Sequence, residues 1–275
     1  MLLQRIITAL VLAPLMLAGI YLLPNSGFRV FIGLIVILGA WEWANIAGFT
    51  RASARVGLAI VTALGLLGLN LWLNVDSLLW ILLVLSALLF WLLAGVGVYL
   101  FPRANHWLAS PPLKILVMVP VLGALWMGLV WLKSQPEAAL LLTWLMLLVW
   151  GADIGAYFAG RAFGNRKLAP AVSPGKTWAG VYGGMITSIL VSVLIAGFYL
   201  PSYSVKDWVW LILLSTAVIA ISVLGDLFES LLKRNRGIKD SSSLLPGHGG
   251  ILDRIDSLCA ATPMFVLLWY VLAVV

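Results

Sequence analysis

A single cysteine, Cys259, stands in the chain, so no intramolecular disulfide can form, and its apolar surroundings read as packing. Only two histidines accompany it, which leaves no cysteine and histidine cluster for a zinc-type centre. Charge is scarce as well: 10% of residues are Asp, Glu, Lys or Arg, whereas 63% are hydrophobic, among them 14 Trp and 10 Phe. A water-soluble fold of 275 residues would have too few charges to cover that apolar load, so lipid is the expected solvent. Repeat periods and low-complexity segments are absent, and no Gly-Lys-Ser/Thr run marks a Walker A phosphate loop.

What is present is a series of long apolar runs. Crossing a hydrocarbon core of about 30 Å takes roughly 20 helical residues. Nine spans can be placed, at 6–23, 28–48, 56–75, 77–99, 113–132, 138–158, 178–199, 208–227 and 255–274. The expected fold is therefore all-α, a polytopic transmembrane helical protein with its polar site on the cytoplasmic side. The first run follows Arg5 but lacks a small-x-small cleavage site before the polar break at Pro24 to Ser26, so it reads as a membrane helix. Spans three and four should form a tight hairpin at Asp76. We read residues 1–275 as one integral membrane domain, with largely hydrophobic helices in 1–135 and a catalytic half in 136–275.

The formal charge is +7. Basic residues fall mainly between the apolar runs, which suits anionic headgroups and phosphate-bearing substrates better than nucleic acid. With the N-terminus in the cytoplasm, 14 of the 17 Lys and Arg lie inside, leaving Arg29, Lys133 and Lys206 outside.

Nearly all other polar detail occupies two stretches on the inner side. In the second, Asp226 and Glu229 are three apart near a helix end, with Lys233 four residues beyond on the same side. Asp253 and Asp256 repeat that spacing at the start of the last span. Unpaired carboxylates near a bilayer cost several kcal/mol each. Either Lys233, Arg234, Arg236 and Arg254 compensate them, or a hard divalent ion such as Mg²⁺ does. Between the two acid pairs, Pro246-Gly247-His248-Gly249-Gly250 is either a tight re-entry turn or a loop whose N–H groups hold phosphate oxygens. The first stretch holds Asp153, which reads as a metal or nucleotide contact or as a packing polar residue. It also holds Ser173-Pro174-Gly175-Lys176-Thr177, which reads as a turn into the seventh span with Lys176 toward the headgroups, either as a surface anchor or as a contact for an anionic ligand.

The run from Ser230 through Lys233-Arg234, Lys239-Asp240, Pro246, His248-Gly249-Gly250 and Asp253-Arg254 to Asp256 resembles the signature of the phosphatidate cytidylyltransferase family. Asp153-Ile154-Gly155-Ala156-Tyr157, Gly160-Arg161, Phe163-Gly164 and Ser173 to Thr177 are similar to it too. The resemblance implies transfer of cytidylyl from CTP to phosphatidic acid in a bacterial inner membrane. It implies Mg²⁺ as cofactor, with a second, monovalent cation such as K⁺. It makes Asp226, Asp253, Asp256, Lys239 and His248 the catalytic candidates, with Asp226, Asp253, Asp256 and Glu229 bearing the metal. Asp153, Ser173, Lys176, Thr177, Lys233, Arg234, Gly249, Gly250 and Arg254 become substrate contacts. The resemblance departs at Ala179, where many relatives carry a polar or acidic residue. A monomer and a homodimer both stay open.

Two rival classes are a transporter for a phosphate-bearing solute and a non-catalytic scaffold. One-sided clustering of charge disfavours the first, and the joint presence of four acids, a basic run and a glycine-rich turn disfavours the second. Glu42, between Trp41 and Trp43, is assigned no chemistry, and His106 reads as an exposed loop residue.

Overall fold

The protein is described by a computed structural model covering residues 2–103, 110–199 and 204–274. His106 lies outside the described residues. The helices are α1 (Leu2–Leu22), α2 (Asn25–Ala47), α3 (Ala52–Trp72), α4 (Leu78–Leu100), α5 (Pro111–Ser134), α6 (Ala138–Phe163), α7 (Trp178–Tyr199), α8 (Val205–Arg236) and α9 (Leu252–Val274). Among the described residues, α2 to α9 are eight helices long and apolar enough to cross a membrane. The apolar part of α1, Ile7–Leu22, is shorter than a span. The protein is thus a polytopic helical membrane protein, with eight clear spans where nine were expected.

Local chemistry sets the helix ends. Gly48, at φ 105°, closes α2 by donating to the carbonyls of Ala44 and Asn45, and Gly237, at φ 73°, closes α8 in the same way. Ser204 and Asp207 form a reciprocal capping box at the start of α8. Ser77 caps α4 by accepting from Trp80 N, completing the expected tight connection from α3. Nothing stops α8 at residue 227, so it runs on to Arg236 and carries Asp226, Glu229 and Lys233 on one continuous helix.

Most of α5 is buried whereas α3 is almost wholly exposed, which makes α5 the central helix. Each end of α5 has a lysine on a neighbour's C-terminal carbonyl: Lys114 Nζ donates to Ile46 O of α2, and Lys133 Nζ to Ile20 O of α1. Three buried indoles find carbonyls or hydroxyls, Trp43 with Lys114 O, Trp80 with Met127 O and Trp144 with Ser192 Oγ. Ser215 Oγ also donates to Ser192 Oγ, so α6, α7 and α8 share one polar knot in an apolar core. Helices α6 and α7 touch through small residues; a Cβ on Gly155 would fall 2.6 Å from the Gly183 carbonyl.

Sequence reading missed one element. Lys167–Ala169 (β1) and Ser173–Thr177 (β2) form a small antiparallel hairpin, with Lys167 opposite Thr177 and Ala169 opposite Ser173. It lies at the end of the bundle that also holds the C-terminal ends of α6 and α8 and the N-terminal end of α9. Arg29, Lys133 and Lys206 sit at helix termini on the opposite end.

Candidate active site

Helices α8 and α9 bring the two acid pairs together. Gly225 makes this possible, because a Cβ there would lie 2.6 Å from the Asp256 carbonyl oxygen. Two turns further along α8, Lys233 Nζ reaches both Glu229 Oε2 at 3.1 Å and Asp253 Oδ1 at 2.6 Å. The other oxygen of Asp253, Oδ2, accepts from Ser241 N (2.9 Å), Ser241 Oγ (2.9 Å) and Gly250 N (2.7 Å). Asp253 is buried, and four donors engage it, the Ser241 hydroxyl being shared with Glu42. Glu229 is buried as well, and its Oε1 has no hydrogen-bond partner. Asp256 stands within electrostatic reach of Asp226, Glu229 and Lys233.

Asp226 points elsewhere, into a cavity of about 400 Å³ between α6, β2, α7 and α8. Lys176 of β2 meets its Oδ2 at 2.6 Å. Asp153, Tyr157, Arg161 and Ser257 line the same space, and Asp153 interacts electrostatically with Asp226, Lys176 and Arg254. Apolar side chains of Val181, Ile219 and Val223 form another part of the lining. A second cavity, of about 660 Å³, is lined by Lys239, Ser242, His248, Gly249 and Arg254 among others. Arg254 therefore belongs to one cavity while acting electrostatically on Asp153 in the other.

The expected contacts separate into three groups. Asp153, Lys176 and Asp226 meet in the first cavity, and Lys239, His248, Gly249 and Arg254 line the second. The remaining ones hold structure: Thr177, which also lines the first cavity, accepts through Oγ1 from Gly180 N to cap α7, and Arg234 Nε donates to Val172 O and ties the hairpin to α8. Ser173 opens β2, so the expected turn at 173–177 is corrected to a strand. Lys176, for which a surface anchor and an anionic-ligand contact were both open, pairs with Asp226. Among the described residues, no three Asp, Glu, His or Cys side chains sit close enough to hold a metal ion.

Glu42 of α2 was passed over in the sequence, yet it is fully buried against this site. Its carboxylate accepts from Ser242 Oγ (2.6 Å), Leu252 N (2.6 Å), Ile251 N (2.9 Å) and Ser241 Oγ (3.1 Å). The available signal was a lone carboxylate inside an apolar run, which by default marks function.

A model of the cytidylyltransferase family matches residues 3–272. A phosphatidate cytidylyltransferase of Pseudomonas aeruginosa is 48% identical over 271 residues, covering 98% of this chain and 97% of that protein. The chain belongs to the phosphatidate cytidylyltransferase family. A phosphatidate cytidylyltransferase of Haemophilus influenzae is 41% identical over 283 residues, with 96% and 97% covered. One of Brucella suis is 35% identical over 263 residues, with 96% and 91% covered. As a phosphatidate cytidylyltransferase family member the chain is a membrane-bound nucleotidyltransferase. The segments that carried the resemblance, Asp153 to Thr177 and Ser230 to Asp256, supply lining residues to the first and the second cavity respectively.

Proposed function

We propose that this protein transfers the cytidylyl group of CTP to phosphatidic acid, giving CDP-diacylglycerol and pyrophosphate, at the inner face of a bacterial cytoplasmic membrane. The observation that carries the reading is the Lys176–Asp226 pair, with Asp153 beside it, in a cavity part polar and part apolar that neighbours a basic, glycine-containing loop. A diacyl lipid needs the first kind of space and a triphosphate the second. CTP is a cytoplasmic solute, and the excess of Lys and Arg at the site end agrees with a cytoplasmic placement of that end and of the N-terminus.

In this reading the phosphate monoester of phosphatidic acid attacks the α-phosphorus of CTP, and pyrophosphate departs on the opposite side. No general base is required, since the nucleophile is already an anion. The protein's task is to bring two anions together and hold them in line. Lys176 and Arg161 lower the charge around the lipid phosphate. Lys239, His248 and Arg254 do the same for the nucleotide phosphates, and Arg254 spans the two positions.

Mg²⁺ fits the donor set, because Asp226, Asp256 and Glu229 offer only hard oxygens and the Glu229 and Asp256 carboxyls stand against each other as like charges in need of compensation. Mg²⁺ is commonly bound through one or two carboxylates plus substrate phosphates, so a preformed cage of three acids is not required. Asp226 and Asp256 would hold it, with Glu229 next to them. When bound it would neutralise charge developing on the phosphoryl oxygens and the leaving group. Asp253, engaged by four donors, fixes Lys233 and the loop instead. Lys233 already sets a monovalent positive charge between Glu229 and Asp253, in the place a K⁺ ion would serve.

The test is purified protein in lipid or detergent with CTP, phosphatidic acid and Mg²⁺, followed for CDP-diacylglycerol and pyrophosphate. Formation of both products is expected. Absence of product from folded wild-type protein, or transfer to a lipid alcohol in preference to phosphatidic acid, would end the proposal.

A further inference from the structure

Glu42 lies outside the segments that make the family signature, on a helix of the N-terminal half. All four of its donors come from one stretch of chain about 200 residues away, the connection between α8 and α9. Two are hydroxyls of Ser241 and Ser242, at the start of that connection. The other two are the backbone N–H groups of Ile251 and Leu252, at its end and at the first residue of α9. One buried carboxylate thus staples both ends of the loop to α2, and its charge sits at the positive end of the α9 dipole.

Adjacent contacts repeat the same connection. Asn45, one turn later on α2, donates through Nδ2 to Ser241 O, and Arg236 Nε donates to Asn45 O. Gly250 packs so closely that a Cβ there would stand 2.5 Å from Glu42 Oε1. Gly250 N is spent on Asp253 Oδ2. The glycine is therefore required by the joint approach of Ser241 Oγ and Glu42, and its N–H group is not available to a phosphate. Between the two stapled ends lie Leu244, Pro246, His248 and Gly249, and Arg254 follows one helical turn after Ile251.

We propose that Glu42 is a positioning residue for the nucleotide half of the reaction: it sets the 241–252 loop and the first turn of α9 so that His248, Gly249 and Arg254 face the triphosphate. This rests on the assignment of the loop-lined cavity to CTP made above. Glu42 touches no substrate. It acts through the hydrogen bonds it accepts, and a glutamine cannot replace it, because either way the amide turned, its nitrogen would face a backbone N–H, that of Ile251 or that of Leu252.

The experiment compares full-length wild type with Glu42→Gln, Glu42→Asp and Ser242→Ala. Each is measured for kcat and for KM toward CTP and phosphatidic acid, and for amide exchange across 237–256. Loss of one or two hydrogen bonds to a buried charge corresponds to about ten- to a hundredfold in affinity. Glu42→Gln is expected to raise the KM for CTP by that factor and to speed exchange at Ile251 and Leu252, leaving the KM for phosphatidic acid within about twofold. Glu42→Asp, which keeps the charge, should recover part of the loss. Ser242→Ala removes a single donor and should raise the CTP KM about fivefold, which keeps the test alive where the Gln variant does not fold. An unchanged CTP KM in either folded variant, equal rises in both KM values, or unchanged exchange at the two amides would overturn the proposal. Wild type that turns over neither substrate while the Glu42→Gln exchange change persists would instead sink the cytidylyl-transfer reading and leave the staple standing.

Discussion

At Asp253 four donors surround the carboxylate, whereas Asp226 meets Lys176 and the Ser230 hydroxyl and lines open space. Equal charges in equal sequence spacing thus do different work, and substitution should separate them. Asp253→Asn breaks a buried ion pair with Lys233, a loss of about 3–5 kcal/mol, so it should lower the melting temperature in detergent together with activity. Asp256→Asn removes a carboxylate beside Asp226 and Glu229 without freeing a buried lysine. It should abolish turnover, at least about a hundredfold, while shifting melting little. Equal melting losses in the two variants would erase the distinction. Chelation gives a companion test: with no three acids grouped around an ion among the described residues, removing Mg²⁺ with EDTA should stop turnover but leave thermal melting within a degree or two, and added Mg²⁺ should restore activity. These differences are invisible in the i, i+3 pattern, since spacing says which acids share a helix face and nothing about the donors brought to them from residues 241 and 250.

For the helices, the decisive contact is the approach of α8 to α9 at Gly225. Placing even an alanine there sets a Cβ against the Asp256 carbonyl oxygen and the Ala260 side chain. Overpacking of this kind costs about 1–3 kcal/mol. Gly225→Ala should therefore destabilise the protein by that amount and, by moving Asp226 away from Asp256, cut turnover about a hundredfold. A variant with full activity would show that this separation does not matter to the reaction. The β1–β2 hairpin is another element set by contacts rather than by its own composition. Ser173 to Thr177 contains Pro174 and Gly175, which favour a turn, and it becomes a strand because β1 pairs with it and Arg234 binds its connection. That pairing carries Lys176 to Asp226, so the misread element is also the one that completes the cavity.

Across the whole molecule, the site end and the far end differ in charge, and this fixes what a topology experiment should find. Cys259 is buried, which leaves introduced cysteines as the readable labels. Ser243→Cys at the site end should react with an impermeant maleimide only from the cytoplasmic face, and Ser26→Cys at the far end only from the opposite one. Labelling of Ser243→Cys from outside would invert the orientation and place the cavity proposed for CTP where no CTP is found. The sequence by itself determined that the chain is a helical membrane protein with its polar chemistry gathered at one end. Lipid offers backbone groups no partners, so each long apolar run must satisfy its own hydrogen bonds as a helix. It also carried, in the residues from Ser230 to Asp256, the likeness that places the chain in its family. Only the tertiary structure decided that Lys233 joins Glu229 to Asp253, that Lys176 meets Asp226, and that Glu42 holds the loop some 200 residues further on. A carboxylate's partner is set by which side chains the packed helices bring within about 3 Å of it, and that distance is not encoded in the spacing of either residue along the chain.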